Sequence, residues 1–144
     1  MSAKQKGMRL ISVVLGADSK QARTEQSQSL MNYGFRFFET RELFAKNQEV
    51  AKARIWKGDD ESLSLGVDRS LFVTYPKGQH EQLKVTLDRP AQLMAPVDQG
   101  DTVGSVVVSL GGEPLHKTPL IALSTIEAGG FFSRMIDTVK LMLE

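Results

Sequence analysis

The chain has 144 residues, no cysteine, and 18 Lys and Arg against 17 Asp and Glu, for a net charge of +1. That length holds one domain, or a small domain with attachments, and can bury about 70% of its unfolded surface without disulfides. The missing cysteines exclude thiol nucleophiles, thiolate zinc sites and iron–sulfur clusters, and the balanced charge gives no large field for drawing in nucleic acid or anionic membrane.

Taken in chain order, Met8 to Gly16 (MRLISVVLG) is β-branched and nearly continuous in apolarity, which predicts a buried strand covered on both faces. Its apolar core, Leu10 to Leu15, is six residues long and interrupted by Ser12, so it makes a poor secretory signal. No stretch reaches the roughly 18 apolar residues of a membrane span. Asp18 and Ser19 offer an N-cap to a polar helix over Lys20–Tyr33, with Gly34 placed as a left-handed residue after its end. Only Ala22, Leu30, Met31 and Tyr33 are apolar in that helix, so it should lie outside a sheet.

From about Arg41 the texture becomes period-two alternation with turn residues every eight to twelve positions, a mainly β pattern expected to form a small antiparallel β-sandwich. Candidate strands are Glu49–Lys57, Ser62–Val67, Leu71–Tyr75, Gln82–Leu87, Gln92–Ala95, Thr102–Leu110 and Leu115–Ser124. Gly111-Gly112, between two alternating runs, is the best hairpin signal. After Gly129-Gly130, the residues Phe131, Phe132, Met135, Ile136, Val139, Met142 and Leu143 recur at helical spacing, with Ser133, Arg134, Asp137, Thr138 and Lys140 on the other face. Leu141 alone breaks the pattern. At about 1.5 Å per residue this rod is about 20 Å long, too short to cross a bilayer but suited to lying along one.

Reactive constellations are scarce. His80 and His116 stand at or beside predicted turns without a second ligand at metal spacing. Asp59-Asp60-Glu61 reads as a solvated hairpin tip, and no glycine-rich loop opens a helix, so neither metal nor nucleotide cofactor is expected. Ala95 to Gly104 has the outline of a turn in biotin- or lipoate-bearing domains, but the nearest hairpin tip, Leu110-Gly111-Gly112-Glu113, lacks the lysine to be acylated. Tyr33, Phe35, Phe37 and Phe38 could stack bases only with interleaved cations, and Arg36 is alone; they read instead as an apolar seam between the strand–helix piece and the β part.

The strings Gly7 to Gly16, Tyr33-Gly34-Phe35-Arg36-Phe37-Phe38-Glu39-Thr40, Pro76-Lys77-Gly78, Ala95-Pro96, Val103-Gly104, Pro119-Leu120 and Gly129-Gly130-Phe131-Phe132-Ser133-Arg134 occur in this order along essentially the whole chain. In them the chain resembles the C-terminal portion of the low-molecular-mass penicillin-binding proteins that are D-alanyl-D-alanine carboxypeptidases. The resemblance implies that residues 1–40 are the last strand and helix of an α/β transpeptidase-like domain, 41–125 an all-β domain, and 126–144 an amphipathic helix at the periplasmic face of the bacterial inner membrane. Phe131, Phe132, Met135, Ile136, Val139, Met142 and Leu143 would then be the membrane-binding residues. It further implies that Arg23 falls where the family carries an arginine near the substrate's terminal carboxylate.

The family's acyl-enzyme chemistry needs S-x-x-K, S-x-N and K-T-G, and none occurs in these residues. Thr74-Tyr75-Pro76-Lys77 has threonine for serine, and Lys117-Thr118-Pro119 lacks the glycine. The K-T-G strand would lie just before Met1, so no catalytic residue is expected here, and pentapeptide would be bound only with the missing catalytic domain. Arg134 and Lys140 against Glu127, Asp137 and Glu144 leave residues 127–144 at −1, so membrane association should rest on apolar burial alone and be reversible. Protein partners are not named by the sequence. The competing expectation is a stand-alone β-sandwich interaction module whose terminal helix docks on a partner protein.

Overall fold

The first residues form an antiparallel hairpin, β1 (Ser2–Gln5) against β2 (Met8–Ile11), with Ser2 opposite Ile11 and Gln5 opposite Met8. Lys6 and Gly7 turn it, at φ +47° and +83°, the twist a two-residue hairpin favours. This computed structural model describes residues 1–143, with the side chains at 131–133 and 143 outside the description.

The sequence predicts a longer, doubly covered strand over Met8–Gly16. The strand instead ends at Ile11, and only Met8 and Ser12 of this stretch are buried, while Ile11, Val13 and Leu15 are 69, 74 and 88% exposed. One face of β2 meets α1 (Lys20–Phe37), and among the described residues nothing covers those three side chains.

Ser19 caps α1 as expected, its Oγ accepting from the Ala22 N–H at 3.1 Å. The helix runs four residues past its predicted end, and Gly34 lies inside it rather than in a left-handed position after it. A Cβ at Gly34 would press on Leu10 Cδ1, so the glycine answers the approach of β2 and not a turn. The helix closes at Phe38, whose N–H donates to the Gly34 carbonyl. β3 (Phe38–Phe44), absent from the sequence reading, follows directly and pairs with β6 (Leu71–Pro76), where Thr40 and Thr74 hydroxyls meet at 2.8 Å.

By contact density the chain divides into Met1–Arg41 with Phe72–Leu83, and Glu42–Leu71 with Lys84–Glu144. The second unit is built on β4 (Glu49–Trp56), β5 (Ser62–Gly66), β7 (Leu83–Asp88), β8 (Leu93–Met94), β9 (Thr102–Leu110) and β10 (Glu113–Ala122), in the order β7-β9-β10-β5-β4-β8. The pairings β4–β5, β5–β10 and β9–β10 are antiparallel, and the two-residue β8 lies parallel to β4. Alternation places Ala53 and Ile55 of β4, Leu63 and Leu65 of β5, Val106 and Val108 of β9 and Leu120 of β10 in the core. The outward Arg54 stacks on Trp56, 3.7 Å from the ring centroid. Gly111 and Gly112 turn β9 into β10 with φ +57° and +92°, the hairpin the sequence predicts.

The acidic triplet is exposed in the turn between β4 and β5, as the sequence predicts, and it also has a structural role. Asp60 Oδ1 accepts from the Glu61 and Ser62 N–H groups, and Asp59 Oδ1 from the Glu127 N–H, so these carboxylates shape the turn and tie it to the segment leading into α2 (Phe131–Leu143).

Candidate functional site

Helix α2 starts from a backbone anchor. Lys57, at φ +60°, accepts from the Gly129 N–H through its carbonyl at 2.8 Å, and Gly58 and Ala128 form an antiparallel bridge. Two turns into the helix, the Asp137 carboxylate reaches back and accepts the Lys57 N–H through Oδ2 at 2.7 Å. A charged acceptor on a backbone N–H is among the stronger hydrogen bonds, and here it fixes which side of the helix faces the β unit. Leu141, one turn beyond Asp137 on that side, is half-buried, which explains the apolar residue that breaks the amphipathic pattern.

The opposite side carries Met135, Ile136, Val139 and Met142, exposed by 52, 54, 55 and 82%. Four such side chains at helical spacing form a continuous apolar strip in water, the mark of a surface that meets something else. The other three sequence candidates, Phe131, Phe132 and Leu143, have side chains outside the described residues. Among the described residues no helix is long and apolar enough to cross a membrane.

In the first unit, Arg23 stands in the first turn of α1, exposed, with Lys20 nearby and no acidic residue in that turn. Cations at a helix N-terminus oppose the dipole, so this arginine weakens its own helix slightly. No described residue pairs with its guanidinium. A second apolar surface includes strand residues that the sequence assigned to the interior: Val13, Val14 and Leu15 join Leu30, Glu25, Gln26 and Ser29 in lining a groove of about 700 Å³. The Ser12 hydroxyl is buried without a hydrogen-bond partner among the described residues.

Polar residues gather at the other end of this unit. Gln5, Lys6, Met8, Phe35, Glu39 and Lys77 are among those lining a cleft of about 380 Å³. Lys77 Nζ donates to the Phe35 carbonyl at 2.6 Å, and Arg41 lies 3.6 Å from Glu39. Tyr75 is buried, its hydroxyl 3.1 Å from His80 Nδ1, and burial followed by the Glu39 carboxylate pushes its phenol above the ordinary value. His80 is exposed in a turn, as the sequence predicts, and in addition pairs with Tyr75. Sequence patterning gave no sign of this pairing, because five residues across a strand end and a 3-10 turn at His80–Gln82 match no fixed period.

The two strings nearest to the missing catalytic motifs are ordinary structure. Thr74 bonds Thr40 on an exposed strand face, and Lys117 lies in β10 at 3.7 Å from Asp88. The aromatic cluster is a local stack: Tyr33 sits 4.8 Å from Phe37 and 6.3 Å from Phe38, centroid to centroid.

Comparison with known proteins agrees with the resemblance read from the sequence. D-alanyl-D-alanine carboxypeptidase DacC of Escherichia coli (strain K12) is 42% identical over 97% of this chain, and DacA of the same organism is 37% identical over 98%. The chain spans 35% of the length of either relative. A crystal structure of penicillin-binding protein 5 from Haemophilus influenzae superposes with a TM-score of 0.83 at 32% identity, covering 88% of this chain and 37% of that one. Residues 38–128 match the family described as penicillin-binding protein 5, C-terminal domain, and the chain belongs to that family as the C-terminal part of a low-molecular-mass penicillin-binding protein.

Proposed function

We propose that this chain is the β-rich support and membrane foot of a serine-type D-alanyl-D-alanine carboxypeptidase of peptidoglycan maturation. In this reading α2 rests at the outer surface of the bacterial inner membrane, and the chain hydrolyses nothing by itself. The observation that carries it is α2: one side is clamped to the β unit through Asp137 and Lys57, while Met135, Ile136, Val139 and Met142 face outward. Full burial of a side chain of this kind is worth about 1.5–3 kcal/mol, so even partial insertion of the strip favours an interface.

The exposed apolar surface of the first unit supports the other half of the reading. Ile11, Val13, Leu15 and Leu30 would seat the remainder of an α/β catalytic domain, which would also bring the serine and lysine that these residues lack. Arg23 would then stand near the carboxylate of a stem pentapeptide.

Vesicle flotation tests the foot. The chain should float with phospholipid vesicles, and Ile136→Glu should abolish flotation; a chain that never floats overturns the membrane reading in favour of a partner-docking helix. A fluorescent penicillin tests the inactivity. Stable covalent labelling of the chain would overturn it.

A further inference from the structure

Resting on the proposed membrane role of α2, we propose that the chain holds an anionic phospholipid headgroup between Lys57 of the β unit and Arg134 of the helix. Summed along the sequence, residues 127–144 are acidic, which leaves apolar burial as the whole attraction. Folding leaves that sum as it is but sets a cation from another part of the chain beside the helix. The turn after β4 brings Lys57 beside the first turns of α2, where Lys57, Arg134, Met135, Thr138 and Val139 line a groove of about 420 Å³. Asp137 keeps its charge while accepting the Lys57 N–H, and it does not line the groove, where the charged side chains are Lys57 and Arg134.

The lining fits one kind of ligand. An ammonium and a guanidinium at the groove suit a phosphate diester. Met135 and Val139, which continue into the exposed strip with Ile136 and Met142, suit the acyl chains attached to it. Among the described residues neither cation is paired with a carboxylate. The position of Lys57 is imposed by its backbone, since its N–H and carbonyl are bonded to Asp137 and Gly129, so its side chain stays at the base of the helix.

Flotation with vesicles of phosphatidylcholine alone, and of phosphatidylcholine doped with phosphatidylglycerol, tests the site. The unmodified chain should prefer the doped vesicles, and Lys57→Asn, chosen because asparagine tolerates the left-handed backbone there, should weaken binding to them about five-fold. Binding to phosphatidylcholine alone should not change. Lys52→Gln removes the same charge from an exposed position of β4 and should leave the preference intact. Arg134→Gln gives an independent loss of similar size should Lys57→Asn disturb the turn. Equal losses from Lys52→Gln and Lys57→Asn, or no preference in the unmodified chain, would overturn the site while leaving the foot standing. No binding to either vesicle would overturn the foot, and the site with it.

Discussion

Tyr75 shows what a single side chain contributes. Its phenol is held in the neutral form by burial and by Glu39, with a folded value above the usual 10.0. A group that binds its proton more tightly when folded adds stability below its unfolded value and loses it as pH rises through the folded one. The stability of the chain should therefore fall above about pH 10, beyond the general alkaline decline, and Tyr75→Phe should flatten that part of the curve in denaturant titrations at stepped pH. At neutral pH the same variant should lose about 1 kcal/mol, through the hydrogen bond to His80. Asp137 acts at the same scale: Asp137→Ala should leave the β unit folded but release the Lys57 amide, seen as faster hydrogen exchange there and along α2. Unchanged exchange would mean that the carboxylate does not hold the helix.

At the scale of elements, regular patterning was the reliable guide. β9 and β10 stand close to where alternation placed them, because their alternate residues face a core on one side, and their turn is set by two glycines at positive φ. β1 and β3 were not legible, since SAKQ and FETRELF are too polar or too irregular to stand out and are strands because of the partners they meet. α1 outran its predicted end for a similar reason: Gly34 looks like a stop until Leu10 is placed against it. Gly66 is the counterpart in the sheet, where an added Cβ would lie 2.5 Å from the Gln48 carbonyl and 2.7 Å from Leu123 Cδ2. Because a backbone oxygen cannot swing aside as a side chain can, Gly66→Ala should destabilise the β unit by about 1–3 kcal/mol. Thermal denaturation checks this, and an unchanged midpoint would mean that the sheet yields easily at this point.

For the whole molecule the informative features are the two apolar surfaces left in water. Val13→Ser and Leu15→Ser should shift the stability of this 144-residue chain by no more than about 0.5 kcal/mol each, because the side chains they remove are already exposed. They should also reduce self-association at high concentration in sedimentation. A loss above that limit would mean that the surface is covered within the chain itself. In a longer chain carrying a catalytic domain on this face, the same substitutions should destabilise strongly.

Both helices, the regularly alternating strands, the N-cap at Ser19, the Gly111-Gly112 hairpin and the family likeness were determined by sequence, because each depends on residues near one another along the chain or on words repeated in order. What tertiary structure alone decided is which apolar surfaces stay wet and which charges meet. Covering Leu15 or bringing Lys57 to Arg134 depends on residues far apart in the chain, and no local period encodes that distance.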